Sequence, residues 1–331
     1  MSVEELAALP LFQKVSRMQL AQGMIGFTAC DLGAGEVLIR EGEQDPSMVL
    51  VLAGELAVCV GPDLIEVGRV GAGDTVGELA LFGAMKERAA TVLSVKPCRL
   101  LVMDQAALEY LQSSESPMIP PLREHAARMA IARVRDTQRL VASVAPGCDL
   151  PDAPRKGLFA RLMGRAGPQS PPPPLVDVMR KSGVFSTDRL LQFSQELESI
   201  GELVPLAGGE RIVTFGQDSA GPLLLLSGRL DLWHPARSGG HLRLTRLRPG
   251  ALCCLGAEVD GQPSASDVIA VDPAWVLRLP ASIRGQLQAR DRHLAKLWRL
   301  ALFNGLCNGL RQANATVESN RGSLEALRLN R

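Results

Sequence analysis

The stretch that decides the fold is Gly73–Val95, GDTVGELALFGAMKERAATVLSV. It sets Gly77 and Glu78 directly ahead of a short apolar run, Leu79-Ala80-Leu81-Phe82, and then brings in a single arginine, Arg88, followed by Ala89, Ala90, Thr91 and Val92. A helix starting near Leu79 leaves its first backbone N–H groups unpaired and its positive dipole end open. Gly77 has no side chain to bar a ligand from them, so a phosphate suits the position. Arg88 can grip phosphate oxygens by charge-assisted, bidentate hydrogen bonds, and the carboxylate of Glu78 can accept from a sugar hydroxyl.

These residues resemble the phosphate-binding cassette of cyclic nucleotide-binding domains, the modules of protein kinase A regulatory subunits, the bacterial catabolite activator and cyclic nucleotide-gated channels. The resemblance covers Gly77, Glu78, Leu79, Ala80, Arg88, Ala89, Ala90, Thr91 and Val92. It implies that Arg88 meets the cyclic phosphate and Glu78 the ribose 2′-hydroxyl, with amides near Leu79, Ala80 and Ala89 completing the cradle. The expected ligand-binding set is therefore Gly77, Glu78, Leu79, Ala80, Arg88, Ala89 and Ala90. Cyclic AMP is favoured over cyclic GMP because Ala89 follows Arg88, where cyclic GMP-selective relatives tend to place a threonine. Cyclic GMP or another cyclic nucleotide is the alternative. Glu87, a carboxylate beside the arginine, is expected to face solvent.

Working outward, Val3–Leu9 and Val15–Ile25 have helical periodicity, with Ser16 as a cap. Short apolar runs divided by glycine then read as strands over Glu36–Arg40, Met48–Leu52, Leu56–Val60, Ile65–Val70, Thr91–Val95 and Arg99–Met103. That is the cadence of a small jelly roll, with Gly35, Gly42 and Gly54 at its turns. Helices are expected over Gln105–Gln112 and Pro120–Val144. The resemblance implies that the second of these closes over the base, with Tyr110, His125, Met129 and Arg133 as candidates to cap it.

From Pro146 to Pro174 the composition turns to a linker ending in four prolines, Pro171 to Pro174, which favour stiff polyproline II. Within it RKGLFARLMGRAG mixes Arg155, Lys156, Arg161 and Arg165 with apolar residues, readable as a solvated tether or a short docking helix. Beyond it the pattern repeats: Gly209, Gly216 and Gly228 follow Gly35, Gly42 and Gly54 at one constant offset. The expected organisation is a nucleotide-binding domain at residues 1–145, a linker at 146–174 and a second domain of the same fold at 175–331. The fold class is mainly β with flanking helices, two jelly rolls in tandem. In the second copy Cys254 stands at the Gly77 position, Leu255 at the Glu78 position and Ser264 at the Arg88 position. Glu258, Asp260 and Asp267 would repel an anion there, so this copy is expected to serve as an interaction or dimerisation surface. A long helical pattern over Ile283–Leu310 ends the fold, and residues 311–331 read as a polar, fraying tail.

Composition narrows the rest. Lys and Arg number 36 against 35 Asp and Glu in 331 residues, a balance that gives no general pull toward nucleic acid or anionic membrane. Seven cysteines without a CxxC spacing read as buried thiols in a reducing compartment, and four scattered histidines form no metal set. No basic segment precedes an apolar core at the N-terminus, and no run of about 18 apolar residues would span a membrane. No helix-turn-helix follows the first domain, and no catalytic constellation has credible spacing. The expectation is a cytoplasmic, non-enzymatic cyclic nucleotide sensor acting through a protein partner or a homodimer. The alternatives are a structural adaptor that binds no nucleotide, or a transcription regulator of the catabolite activator type.

Overall fold

The computed structural model describes residues 2–83, 87–150 and 167–324, which fall into two compact units, Met1–Thr137 and Gln138–Arg331. Residues 151–166, which hold most of the basic and apolar linker segment, lie outside the described residues.

The first unit opens with α1 (Val3–Ala7) and α2 (Arg17–Gly23). Each starts in a capping box, Ser2 with Glu5 and Ser16 with Gln19, which satisfies orphan amides at both ends of the exchange. The barrel strands follow: β1 (Thr28–Leu32), β2 (Val37–Ile39), β3 (Met48–Val60), β4 (Ile65–Gly71), β5 (Thr75–Val76) and β6 (Thr91–Met103). They pair antiparallel in the order β1-β6-β3-β4, with β2 on β6 and β5 on β3. β1 is a strand that the glycine-divided reading passed over.

The same reading ended a strand at Gly54, and the structure corrects it. Strand β3 runs on through Gly54, with the register against β6 shifting between Val51 and Ala53, between Ala53 and Glu55 and between Glu55 and Leu56. Gly54 holds φ +98°, and a Cβ there would lie 2.5 Å from Pro97 O. The residue inserted on β3 lies between Val51 and Ala53, so the inward face changes parity across this irregular stretch. Val49 and Val51 enter the core before the bulge, Leu56 and Val58 after it. A glycine in a strand pattern is thus here a bend and not an end.

Helix α3 (Glu78–Phe82) lies between β5 and β6, and α4 (Gln105–Ser113) and α5 (Ile119–Ala142) follow β6. Asp104 caps α4 by accepting from the Ala107 amide at 2.8 Å.

In the second unit, α6 (Leu175–Ser182) and α7 (Leu190–Ile200) precede β7 (Glu202–Leu206), β8 (Arg211–Val213), β9 (Leu223–Ser227), β10 (Leu230–Pro235), β11 (His241–Leu247), β12 (Leu252–Cys253), α8 (Gly256–Val259), β13 (Asp267–Ala270) and β14 (Ala274–Arg278). The two sheets are ordered β11-β10-β13-β8 and β12-β9-β14-β7. If β9 and β10 are read as a divided β3, and β13 and β14 as a divided β6, every pairing of the first unit recurs. The backbone agrees: Gly35 and Gly209 hold φ +83° and +82°, Gly73 and Gly250 hold +91° and +89°. The chain therefore carries the same antiparallel fold twice, each with its own apolar core.

The terminal helical pattern proves to be two helices, α9 (Ile283–Arg290) and α10 (Arg292–Ser319). Asp291 breaks the run in an extended conformation and caps α10, its carboxylate accepting from the His293 amide at 2.7 Å. Residues 311–319 do not fray as expected. They stay helical because Ala313, Asn314 and Val317 are buried.

Candidate functional site

Gly77 sits in the left-handed region, φ +81°, immediately before α3. Glycine is required there twice over, for the backbone angle and for space. A Cβ would lie 2.6 Å from Ser47 O and would also collide with Arg88 Nη1. Helix α3 starts at Glu78, one residue before the expected position, and its five residues give a short dipole. The site therefore rests on side chains more than on the helix end.

Arg88 is buried. Its main chain is clamped to the turn after β2, with the Gly42 amide donating to Arg88 O at 2.9 Å and the Arg88 amide to Glu43 O at 2.8 Å. Its guanidinium faces Gly77: Nη1 donates to Ser47 O at 2.7 Å and to Gly77 O at 3.4 Å. Nη2 donates to Ser47 Oγ at 2.7 Å and to Asp45 Oδ2 at 2.8 Å. Asp45 is 58 % exposed, so this ion pair is screened on one side and contributes about 1 kcal/mol or less.

Glu78 is 1 % exposed. Its Oε1 accepts from Arg133 Nη1 on α5 at 2.5 Å, and Arg133 Nη2 donates to Thr75 O. Burial pushes the Glu78 carboxyl above its ordinary value, opposed by the positive charges of Arg133 and, further off, Arg88. A second contact ties α5 to α3, with the Arg123 guanidinium 5.7 Å above the Phe82 ring. Three buried polar atoms at this place, Glu78 Oε2, Arg88 Nε and Thr75 Oγ1, have no hydrogen-bond partner among the described residues. Buried polar atoms are seldom left so.

Gly77, Glu78 and Arg88 are thus brought together. Leu79 and Ala80 are buried in α3, and the Ala80 amide, expected in the cradle, donates to Gly77 O at 3.1 Å. Ala89 and Ala90 follow Arg88, half-buried at the start of β6, and Glu87 is exposed as expected. Of the four cap candidates, Arg133 reaches the site. Tyr110 is exposed and lines a separate cleft with Ile25, Thr28 and Asp104. His125 has a buried Nε2 without a hydrogen bond among the described residues, and burial lowers its pKa. Asp45 and Ser47 went unread, since a short polar loop carries no periodic signal.

The second unit repeats the scaffold without the cation. The Gly216 amide donates to Ser264 O at 2.9 Å and the Ser264 amide to Gln217 O at 2.9 Å, the same clamp that holds Arg88. Ser264 therefore occupies the arginine's place. Cys254 holds φ +58°, a left-handed backbone without glycine. Leu255 is buried, and a Cβ added to Gly305 of α10 would lie 2.9 Å from its Cδ1, so the leucine packs where α10 approaches closest. Asp267 is buried and bonded, with Arg211 Nη1 3.2 Å away and the Phe215 amide donating at 3.1 Å.

Residues 30–115 match the family model described as "Cyclic nucleotide-binding domain", so the first unit contains such a domain. A putative potassium channel protein of Rhodopseudomonas palustris is 34 % identical over 113 residues, which is 33 % of this chain and 27 % of that protein. A cyclic nucleotide-gated potassium channel of Rhizobium etli is 30 % identical over 121 residues, 37 % of this chain and 33 % of that one. The matches span a third or less of these relatives. Among solved structures, the regulatory domain of Toxoplasma gondii PKA with cAMP covers 89 % of this chain and 92 % of its own at 17 % identity and a TM-score of 0.31. A putative cyclic nucleotide-binding protein from Geobacter metallireducens covers 40 % and 98 % at 19 % identity and a TM-score of 0.35. With scores this low, the repeat rests on the strand pairing itself.

Proposed function

We propose that the first unit is a receptor for a cyclic mononucleotide, cyclic AMP by preference, and that the chain is a non-enzymatic regulator whose output is the position of α5. The carrying observation is the convergence at Gly77 of two buried groups of opposite charge type, Arg88 and Glu78, each with one polar atom that has no partner among the described residues. Such a pair suits a ligand that is anionic at one end and hydroxylated at the other. Arg88 would take the phosphate, exchanging the exposed Asp45 carboxylate for it at small cost, and Glu78 Oε2 would accept from the ribose hydroxyl. The family match over residues 30–115 supports the same ligand class.

Arg133 gives the output its physical basis. It shares the Glu78 carboxylate with the ligand proposed here, so binding and the contact between α5 and α3 are coupled through one side chain. A ligand shifts that contact only by the difference in its affinity for the two arrangements. The second unit, with Ser264 and Leu255 in place of the charged pair, is proposed as a protein-interaction or dimerisation surface that binds no nucleotide. The seven cysteines, which form no disulfide among the described residues, fit action in the cytoplasm, and no helix among those residues is long and apolar enough to cross a membrane.

Calorimetric titration of the full chain with cyclic AMP, cyclic GMP and cyclic dinucleotides tests this. Arg88→Ala should weaken cyclic AMP about 100-fold or more, the roughly 3 to 5 kcal/mol lost when a buried charge loses its partner. Leu255→Ala should leave affinity unchanged. Equal effects from the two substitutions, or no binding by any cyclic nucleotide, overturn the reading. The second outcome would favour the adaptor, for which the pairings Arg133–Glu78 and Arg88–Asp45 would be purely structural.

A further inference from the structure

In the second unit a carboxylate stands where the first has a leucine. Glu258 on α8 takes the place that Leu81 has on α3, and it is largely buried. Both of its oxygens face the indole of Trp298 on α10, whose Nε1 donates to Oε1 at 3.0 Å and to Oε2 at 2.9 Å. Trp298 is itself fully buried. One N–H shared between two oxygens is a poor substitute for the water that an ionised carboxylate gives up. Of the charged groups packed around it, Arg284 on α9 attracts the carboxylate, and Arg299 on α10 lies within reach of Arg284 and is half-buried. Asp260 follows on Glu258's own segment, and α10 otherwise offers the neutral indole. Beside this pair, Leu255 packs at the close approach to Gly305 of the same helix. The cassette helix α8 is thus fastened to α10 by an apolar contact and by a polar one whose strength depends on a proton.

We propose that Glu258 and Trp298 form a proton-sensitive latch: the neutral Glu258 carboxyl keeps α8 against α10, and its ionisation loosens that contact by drawing water to the charge. The second unit then reads protons at the segment where the first is proposed to read a nucleotide. The latch stands on Glu258, Trp298 and α10 alone and is independent of whether the first unit binds cyclic AMP.

The direction follows from burial, which raises the Glu258 carboxyl from 4.5 to about 7, with Trp298 and Arg284 opposing. The test uses the full chain labelled with ¹⁵N. The indole N–H resonance of Trp298 is assigned by its loss in Trp298→Phe and followed from about pH 5 to about pH 9. The resonance should titrate with a midpoint near 7, while those of Trp233 and Trp275 should not follow it. In Glu258→Gln, a neutral side chain of the same shape, the titration should vanish. Amides of α8 should exchange with solvent about tenfold faster than in that variant at the alkaline end, and equally fast at the acid end. A midpoint below about 5, a titration that persists in Glu258→Gln, or a titration with no change in α8 exchange overturns the latch.

Discussion

Replacing Arg133 by alanine tests the bond that joins the site to α5. The pair is nearly dry, with Glu78 1 % and Arg133 16 % exposed, so the charge left on Glu78 cannot be rescued cheaply by solvent. Stranding a buried ionised carboxylate costs roughly 3 to 5 kcal/mol, and losing the donor to Thr75 O adds about 1 kcal/mol. The carboxyl has an escape, because it can take up a proton. Burial already raises it above 4.5 and Arg133 holds it down, so removing Arg133 raises it further. The folded variant then keeps a proton that the unfolded chain has released, over a window beginning near 4.5 and reaching higher than in the parent. Its stability therefore falls as pH climbs through that window. The expected loss is smaller on the acid side of that window and reaches about 3 kcal/mol on its alkaline side. For a unit of this size that corresponds to a melting temperature lower by roughly 10 °C at the higher pH. Calorimetric unfolding of the parent, Arg133→Ala, Glu78→Gln and the double variant closes a thermodynamic cycle. The double variant should lose at least about 1 kcal/mol less than the two singles together. A loss that does not change with pH, or a cycle additive to within about 0.5 kcal/mol, would refute the coupling.

Other substitutions follow from the same geometry. Gly77→Ala sets a Cβ against Ser47 O at a left-handed angle and should cost about 1 to 2 kcal/mol in chemical unfolding, along with any nucleotide affinity. Gly305→Leu forces apart the contact with Leu255 and should lower stability by about 1 to 3 kcal/mol, read by denaturant midpoint. Glu258 contributes stability that is complete below its unfolded value of 4.5 and is lost as pH rises through about 7. Across that window stability should fall by about 3 kcal/mol more in the parent than in Glu258→Gln, measured by denaturation at each pH. Arg123→Ala, which removes the cation above Phe82, should cost about 0.5 to 1 kcal/mol in the same assay.

What the sequence disclosed was what local chemistry dictates. Gly77 and Arg88 are readable because a left-handed backbone and a buried guanidinium each need one residue type, and the repeated glycines are readable because both units use the same positive φ. The capping boxes at Ser2 and Ser16 are local in the same sense. Long-range partnerships were not readable. Asp45 and Ser47 meet Arg88 across the barrel through a loop without periodicity, and Arg133 reaches Glu78 only because α5 packs that way. Gly54 misled because an irregular strand and a turn make the same demand on one residue, and only its close approach to Pro97 and Cys98 tells them apart. Asp291 misled for a related reason: an acidic residue can sit mid-helix or cap the next one, and its φ of −154° selects the cap.

The two units solve one mechanical problem with different chemistry. In both, a short helix after the fifth strand of the repeat is bonded to a longer helix that follows the barrel. In the first, the bond is a carboxylate and a guanidinium, Glu78 with Arg133, while a second guanidinium, Arg88, stands behind the glycine. Both charges are buried, so the bond is strong only while it is complete, and a ligand offering a hydroxyl and an anion can redistribute it. In the second, leucine replaces the carboxylate and packs at a glycine, Gly305. A carboxyl reappears at Glu258, now facing an indole that can neither ionise nor leave with a ligand. A charged pair can be contested by solutes, whereas a buried acid on a neutral donor answers only to the proton. The receptor and the latch proposed here would be two switches on one repeated scaffold that respond to different signals.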